Sequence, residues 1–521
     1  MSRRRGGRVG LWLVVSGALA AGCGTPATVT KPAAPLRGVT LVVAAVGDAA
    51  GLPTVAAQRG EWEASREAAC RVLDAPVGPS SLAGAHVLVF RGDRLGDLVD
   101  AGALAVLPER LVQPPAAPDA DADPDTAGRP SAGGAGPTEA DALQFSDVVP
   151  AYRDQVSKYG SDRVGLPHGG SALVLVYNRA AFTREANRAA AGAKGLALEP
   201  PATWEDLDRL AAFFQGRDWD GDGAADSGIA VALGADAEGV GDATFLARAA
   251  ALGQHRDHYS LLFDSDTMDP RVATPPFVEA LTDLVALKAS GPPGVEGFDA
   301  GAARGAFREG RVALLIDLAE RAGRWGGGKV KDVGVARLPG SGRVYEPVNK
   351  TWETLATPNR PSYLPHGGGW LVAVAASAAG PQREAAIDFV KYLVNPETSN
   401  RVRSDRDFPM LPVRGSEVAR GLTDPRSAPG VESRAWSDAV SRTLLAPRVV
   451  PGLRIPQAEG YLADLTAGRV AAARGGRAGP ALKGVAHAWS ARTRALGVGR
   501  QLWHYRRSLN SLVTTPEPPP R

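Results

Sequence analysis

Apolar runs of strand length alternate with amphipathic segments through most of this chain, and that alternation constrains its fold more than any other feature. Val39-Thr-Leu-Val-Val-Ala-Ala-Val46 is continuous and apolar, an amphipathic segment follows from Pro53 to Leu73, and His86-Val-Leu-Val-Phe90 completes a β-α-β pattern. Unbroken apolar strands are what a parallel sheet covered by helices on both faces requires. Ala172-Leu-Val-Leu-Val-Tyr177, Val312-Ala-Leu-Leu-Ile316 and Trp370-Leu-Val-Ala-Val374 continue the series. Between them lie segments with apolar residues at helical spacing. One has Leu207, Leu210, Ala211 and Phe214, a second Phe277, Ala280, Leu281, Leu284 and Val285, and a third Ala386, Phe389, Val390 and Leu393. Thr203-Trp-Glu-Asp206 reads as a capping box ahead of the first. The expected class is α/β, and no internal repeat is visible.

A chain of 521 residues can bury two or three sizeable cores, and 44% hydrophobic with 22% charged residues is ordinary globular composition. The net charge of +3 comes from 59 basic and 56 acidic residues. No dense Lys/Arg block follows the first few residues, which argues against nucleic acid as a partner. Cys23 and Cys70 are the two cysteines, with no C-x-x-C pair and no metal-type spacing. Cys70 lies in Ala64-Ser-Arg-Glu-Ala-Ala-Cys-Arg-Val-Leu73, which reads as helix, so a buried small hydrophobe is expected there.

The N-terminus carries Arg3, Arg4, Arg5 and Arg8, then the apolar run Leu11 to Ala21, then Gly22-Cys23. Basic residues before a short apolar run form an export signal, and the run is shorter than the about 20 residues that cross a bilayer as a helix. The small residues ending at Cys23 resemble the lipobox of bacterial lipoproteins, with Ala20 where that motif prefers Leu or Val. The resemblance implies a lipid on the Cys23 thiol and an exported protein anchored to the cell membrane, facing the periplasm or the exterior. Residues 24–38 then form a Pro/Ala/Thr tether. Residues 113–142, with Asp119-Ala-Asp-Ala-Asp-Pro-Asp125, read as a disordered insertion, and 511–521 as a flexible tail.

Six short motifs resemble, in order, those of the bacterial extracellular solute-binding proteins that include maltose-binding protein. They are Gly165-Leu-Pro-His168 with Leu173-Val-Leu-Val-Tyr-Asn178, Pro200-Pro-Ala-Thr-Trp-Glu-Asp-Leu207, Phe307-Arg-Glu-Gly-Arg-Val-Ala-Leu-Leu-Ile-Asp317, Gly367-Gly-Gly-Trp370, Tyr392-Leu-Val-Asn-Pro-Glu397 and Leu411-Pro-Val-Arg414. The resemblance spans roughly 39–510. It implies a two-lobed periplasmic-binding-protein fold of type II, each lobe a sheet flanked by helices, joined by three hinge crossings near 172–178, 336–342 and 408–414. Lobe one would be 39–172 plus 341–408, and lobe two 173–340 plus 409–510. A monomer that captures a small solute, a sugar or oligosaccharide, and delivers it to the permease subunits of an ABC importer is the implied function.

In such a fold, polar residues beyond the carboxyl ends of strands line the cleft, which singles out Asp48, Arg91 and Asp93. A carboxylate and a guanidinium can hydrogen-bond vicinal hydroxyls; a turn or a structural ion pair is the alternative. His168, Gly169, Gly170 and Ser171 fall at the first crossing, where the resemblance implies a ligand-facing side chain, and a His bonded to a hinge carbonyl is the competing reading. Asp317 is a contact by family position. Trp370, after three glycines, and Trp325 are candidates to stack on a pyranose ring or to fill core. Trp62, Trp204, Trp436, Trp489 and Trp503 lie in helical patterns and are expected in the core.

Asp218-Trp-Asp-Gly-Asp-Gly-Ala-Ala-Asp226 resembles the first nine positions of an EF-hand loop: Asp218, Asp220, Asp222, the Ala224 carbonyl and Asp226 as oxygens, Gly223 at the turn. Position 12 is Ile229, so the bidentate glutamate is absent, and a structural Ca2+ or a bare Asp/Gly turn would both suit it. No other cofactor is implied. G-x-S-x-G, H-E-x-x-H, Walker and strand-linked G-x-G-x-x-G motifs are missing, which disfavours an enzyme. A binding component of a sensor or polysaccharide-uptake complex, and less readily a carbohydrate-active hydrolase, are the alternatives to transport.

Overall fold

The computed structural model describes residues 36–112, 143–403, 410–422 and 428–510. The export signal with Cys23, most of the tether, the 113–142 insertion, Phe408-Pro409 of the third crossing and the 511–521 tail lie outside the described residues.

Two sheets organise the chain. The first has the order Ala69–Val72, Thr40–Val46, Val87–Arg91, Gly369–Val374, Leu166–Gly170, with the first three strands parallel and the last two antiparallel to their neighbours. Val43 to Val46 and Val87 to Phe90 are sealed from solvent, as their unbroken apolar sequence requires. Helices Leu52–Arg66 and Gly380–Val394 pack together on this sheet, where Trp62 meets Phe389 edge to face at 4.9 Å and donates its indole N–H to Asp388 at 2.8 Å.

Cys70 is in a strand, not a helix. The first helix stops at Arg66, Glu67 takes a left-handed conformation (φ 51°), and the chain turns into the edge strand Ala69–Val72, which places Cys70 beside Leu41. The helix also satisfies that strand's outer edge: Arg59 donates to the Cys70 carbonyl at 2.9 Å and Glu63 accepts from its N–H at 2.6 Å. Cys70 is free and buried, and burial pushes its thiol up to about 12, so it is an inert small hydrophobe.

The second sheet runs Val333–Arg337, Leu173–Asn178, Val312–Leu318, Ser227–Ala230. Helix Trp204–Phe214 flanks it behind the expected capping box, in which Thr203 and Asp206 satisfy each other's backbone N–H groups. This helix approaches the sheet so closely that a Cβ on Gly228 would lie 1.9 Å from the Ala211 carbonyl oxygen. Helix Val240–Gly253, buried almost all round, packs against Pro275–Ala286, and Ala458–Ala473 pairs with Ala478–Leu496 beside them. Trp62, Trp204, Trp436, Trp489 and Trp503 are all buried.

The chain leaves the first sheet at Gly170 and enters the second at Leu173. Residues 336–342 run from the end of Val333–Arg337 into a hairpin, Ser341–Glu346 with Thr351–Asn359, whose first strand packs on Val240–Gly253 and Pro275–Ala286. The return to the first sheet follows the hairpin, through Ser362–Leu364, which pairs in parallel with Val449–Pro451. Leu411 exchanges backbone hydrogen bonds with Gly170, and helix Ser433–Leu444 then packs on Val333–Arg337. Helix Val498–Ser508 reaches back to the first lobe, where His504 meets Asp100 at 2.9 Å and Tyr159 at 3.0 Å.

Candidate functional site

A cavity of about 280 Å3 lies where the two lobes and their connections meet. The first lobe contributes Arg91, Asp93 and Arg94, from the carboxyl end of Val87–Arg91. The second contributes Asp236, Gly239 and Asp242 at the start of helix Val240–Gly253, with Glu459, Leu462 and Thr466 of Ala458–Ala473. Tyr363, His366 and Leu453 come from the connecting segments.

Arg91 is the organiser of the first-lobe wall. It forms an ion pair with Asp93 at 3.0 Å and lies 3.7 Å from Asp48, so the three residues singled out by strand position do come together. Asp48 also caps the turn after the first strand, accepting from the Ala50 N–H at 2.8 Å. Asp93 is 6% exposed, yet its Oδ1 has no hydrogen-bond partner, with the Arg94 Nε 4.0 Å away. A buried carboxylate oxygen without a partner costs free energy unless an incoming donor fills it. Arg94 pairs with Glu459 across the lobes.

On the facing wall, Asp236 accepts from the Val240 N–H at 2.6 Å and the Gly241 N–H at 3.2 Å, which anchors the helix start. Asp242 is held by Arg469 at 2.6 Å and by the Thr466 hydroxyl.

His366 enters the cavity through a turn that glycines make possible. Gly367 (φ 66°) and Gly92 touch backbone to backbone: a Cβ on Gly92 would sit 2.2 Å from the Gly367 oxygen, and one on Gly367 2.2 Å from the Asp93 nitrogen. Burial, with Arg91 adding to it, pushes the His366 imidazole down to about 4, so it is neutral at pH 7 and offers one donor and one acceptor.

The other candidates lie elsewhere. Trp370 is half-buried, opposite Arg91 and Gly169 in the sheet, with its ring against Gly51, where a Cβ would be 2.7 Å from Cε3. It sits at the start of an interior strand, level with Arg91, and does not line this cavity. His168 is buried against Thr54, Nε2 to hydroxyl 2.9 Å, and burial holds its pKa near about 4. Ser171 donates to Glu320 at 2.5 Å at the first crossing, and burial raises that carboxyl to about 7. Asp317 and Trp325 are fully buried and bound to each other at 2.8 Å; Arg304 adds two bonds to Asp317 at 2.5 and 2.9 Å, then reaches Glu238 at 2.7 and 3.0 Å. Sequence reasoning did not single out His366, Asp236, Asp242, Arg94 or Glu459. Of these His366 had a signal, its place before three glycines.

The Asp218–Asp226 loop, which does not line the cavity, brings carboxylate oxygens of Asp218, Asp220 and Asp222 within 4.8 Å of one another at the surface. Fully buried Trp219, whose carbonyl accepts from Asn187 at 2.8 Å, roots it. Burial and the three neighbouring aspartates push Asp226 up to about 6, while the Lys329 ammonium, 3.3 Å from Asp222, supplies one compensating charge.

Two α/β lobes, each a sheet flanked by helices, that meet over a polar cavity beside their connections form the two-lobed periplasmic-binding-protein architecture. Residues 73–421 match the family model described as bacterial extracellular solute-binding protein, and the chain belongs to that family. No curated protein matches the chain. Solved structures similar in fold include an ABC transporter solute-binding protein of Agrobacterium radiobacter K84 in complex with ribitol, at 20% identity and TM-score 0.60, covering 88% of this chain and 100% of that one. Another is the cyclic alpha-maltosyl-1,6-maltose binding protein of Arthrobacter globiformis, at 18% identity and TM-score 0.55, covering 87% and 98%. A third, an ABC transporter solute-binding protein of Agrobacterium vitis S4 with bound D-mannitol, has 17% identity and TM-score 0.56, covering 88% and 99%. Among the described residues, no helix is long and apolar enough to cross a membrane.

Proposed function

We propose that this protein captures a small polyhydroxylated solute, a sugar or sugar alcohol, in the cavity between its lobes and hands it to an ABC importer. The observation that carries this reading is the Arg91–Asp93 ion pair at the cleft, whose free Oδ1 is set to accept from a hydroxyl while the guanidinium neutralises the carboxylate beside it. Asp236, Asp242 and neutral His366 supply polar groups from the second lobe and the connection, so one ligand can touch both walls and favour the closed state. The relatives in complex with ribitol and D-mannitol support this ligand class. Trp370, at the rim, stacks on a ligand longer than the cavity.

The reading includes export, a lipid anchor at Cys23, and a binding role rather than catalysis. A Ca2+ in the Asp218–Asp226 loop, held by Asp218, Asp220, Asp222, the Ala224 carbonyl and Asp226, would give that loop a structural ion.

The test is a thermal-shift screen of the purified full-length protein against sugar alcohols, monosaccharides and maltooligosaccharides, with and without calcium. A dose-dependent rise in Tm for a polyol or sugar is expected. No rise for any member overturns the ligand class, and turnover of pooled glycosides overturns the binding role.

A further inference from the structure

A second cavity, of about 440 Å3, shares no lining residue with the cleft cavity. Five chain segments enclose it: the turn after helix Val240–Gly253, the end of Val333–Arg337, Val344 of hairpin strand Ser341–Glu346, the second half of hairpin strand Thr351–Asn359 with the residues after it, and Pro447-Arg448. Arg256, Arg337, Arg360 and Arg448 line it, and among the described residues no carboxylate does.

Three of these arginines are half-buried and use little of their bonding capacity. Arg337 donates to the Arg360 carbonyl, Arg360 to the Pro201 carbonyl at 3.0 Å, and Arg448 to the Gln254 carbonyl at 3.1 Å. The Arg360 Nε is buried without a partner. Each guanidinium has five N–H donors, so most of those in this group are left for something else. Other buried arginines here have fuller sets of partners: Arg304, Arg248 and Arg469 meet carboxylates, and Arg454 spreads over four carbonyls, though Arg248 and Arg454 also leave their Nε without one. Nearby acidic groups are committed, Glu353 and Asp257 to exposed Arg256 at 2.8 and 3.7 Å, and Asp438 to Arg442 at 3.0 Å. Burial, with Arg360 and Arg442 adding to it, pushes the Arg337 pKa down to about 10, the sign of a positive charge held among others without a counterion.

We infer that this cavity is a binding site for a soluble, multiply charged oxyanion of the phosphate or pyrophosphate type, gripped by Arg337, Arg360 and Arg448 with Arg256 beside them. Planar guanidinium forks match phosphate oxygens two at a time, and converging positive charges favour a dianion over chloride. The site is independent of the cleft, so it stands or falls separately from the solute reading.

Calorimetric titration of pyrophosphate and of inorganic phosphate into the full-length protein, at matched ionic strength in chloride, tests it. Saturable one-to-one binding is expected, tighter for pyrophosphate, weakened about tenfold or more in Arg360→Gln, where one charged hydrogen-bonding partner is lost. Arg311→Gln, at an exposed arginine paired with Glu309 elsewhere, is expected to leave the affinity unchanged. Absence of saturable binding at millimolar anion, or an equal loss in Arg311→Gln, overturns the inference. Should Arg360→Gln fail to fold by circular dichroism, Arg448→Gln takes its place. Selenate soaked into wild-type crystals then gives the second reading: an anomalous peak among the three arginines supports the site, and none there overturns it.

Discussion

Asp93 and Asp317 invite comparison because they occupy similar places in different lobes. Each belongs to the carboxyl end of a central strand, each is buried, and each pairs with an arginine. Asp317 is saturated, with two bonds from Arg304 and one from Trp325. Asp93 has one arginine at 3.0 Å and an oxygen without a partner, on the wall of a cavity. The saturated carboxylate holds a lobe together, and the unsaturated one is available to a ligand. Strand position brings a carboxylate to the cleft side of a lobe, but the partners around it decide what it does there.

Substitution at the sealed site gives the largest expected effect. Asp317→Ala removes the fully buried partner of Arg304, leaves Glu238 as its remaining carboxylate and takes the acceptor from the Trp325 N–H; loss of one partner of a buried pair costs up to about 3–5 kcal/mol. Urea unfolding will show it as a lower midpoint; a loss under about 1 kcal/mol would erase the contrast between the two sites.

Asp93→Ala is expected to do the reverse. Its effect on stability should be about 1 kcal/mol, because Arg91 keeps Asp48 as a neighbour, while ligand affinity falls about 10- to 100-fold through loss of a charged hydrogen bond. Calorimetry on the best ligand from the screen measures the second, and unfolding the first.

A third carboxylate, half-buried Glu320 that accepts from Ser171 at the first crossing, sharpens the comparison through pH. Its folded pKa of about 7 lies above the ordinary 4.5, so the folded state binds more protons between those values and its contribution to stability falls as pH rises from 4.5 to 7. His168 and His366, at about 4 against an ordinary 6.5, act oppositely: the unfolded state binds more protons in that window, and stability falls as pH drops from 6.5 to 4. In wild type the two trends oppose each other between pH 4.5 and 6.5, one carboxyl against two imidazoles. Glu320→Gln removes one, so its stability should rise more steeply over that window, by about 2 kcal/mol relative to wild type. Parallel profiles for the two proteins would contradict the assignment.

The smallest expected effect is at the surface loop. Asp220→Ala with Asp222→Ala should abolish a calcium-dependent rise in Tm while leaving the calcium-free Tm within about 2 °C. A wild-type protein whose Tm ignores calcium removes the ion from that loop.

Much of the fold was legible because it is written locally. Unbroken apolar runs marked the central strands, helical spacing marked Trp204–Phe214, Pro275–Ala286 and Gly380–Val394, and Thr203 with Asp206 marked a helix start. Cys70 was misread because helical spacing runs on past Arg66, while the turn that ends the helix is made by Glu67, a residue with no intrinsic preference for it. The site was half legible. Asp48, Arg91 and Asp93 follow from strand ends, but the sealing of Asp317 depends on Arg304 and Trp325 folding back over it, which no local pattern records. His366 escaped notice because a lone histidine gains meaning only when Gly367 and Gly92 bring its turn against Asp93.

The most direct test of the central claim, that a solute binds between the lobes at Asp93, is calorimetric titration of ribitol, D-mannitol and maltooligosaccharides into wild type and Asp93→Ala side by side. The account predicts saturable one-to-one binding of at least one of them to wild type, and at least about tenfold weaker binding to the variant. Equal affinity in the two proteins, or no binding to either, would contradict it.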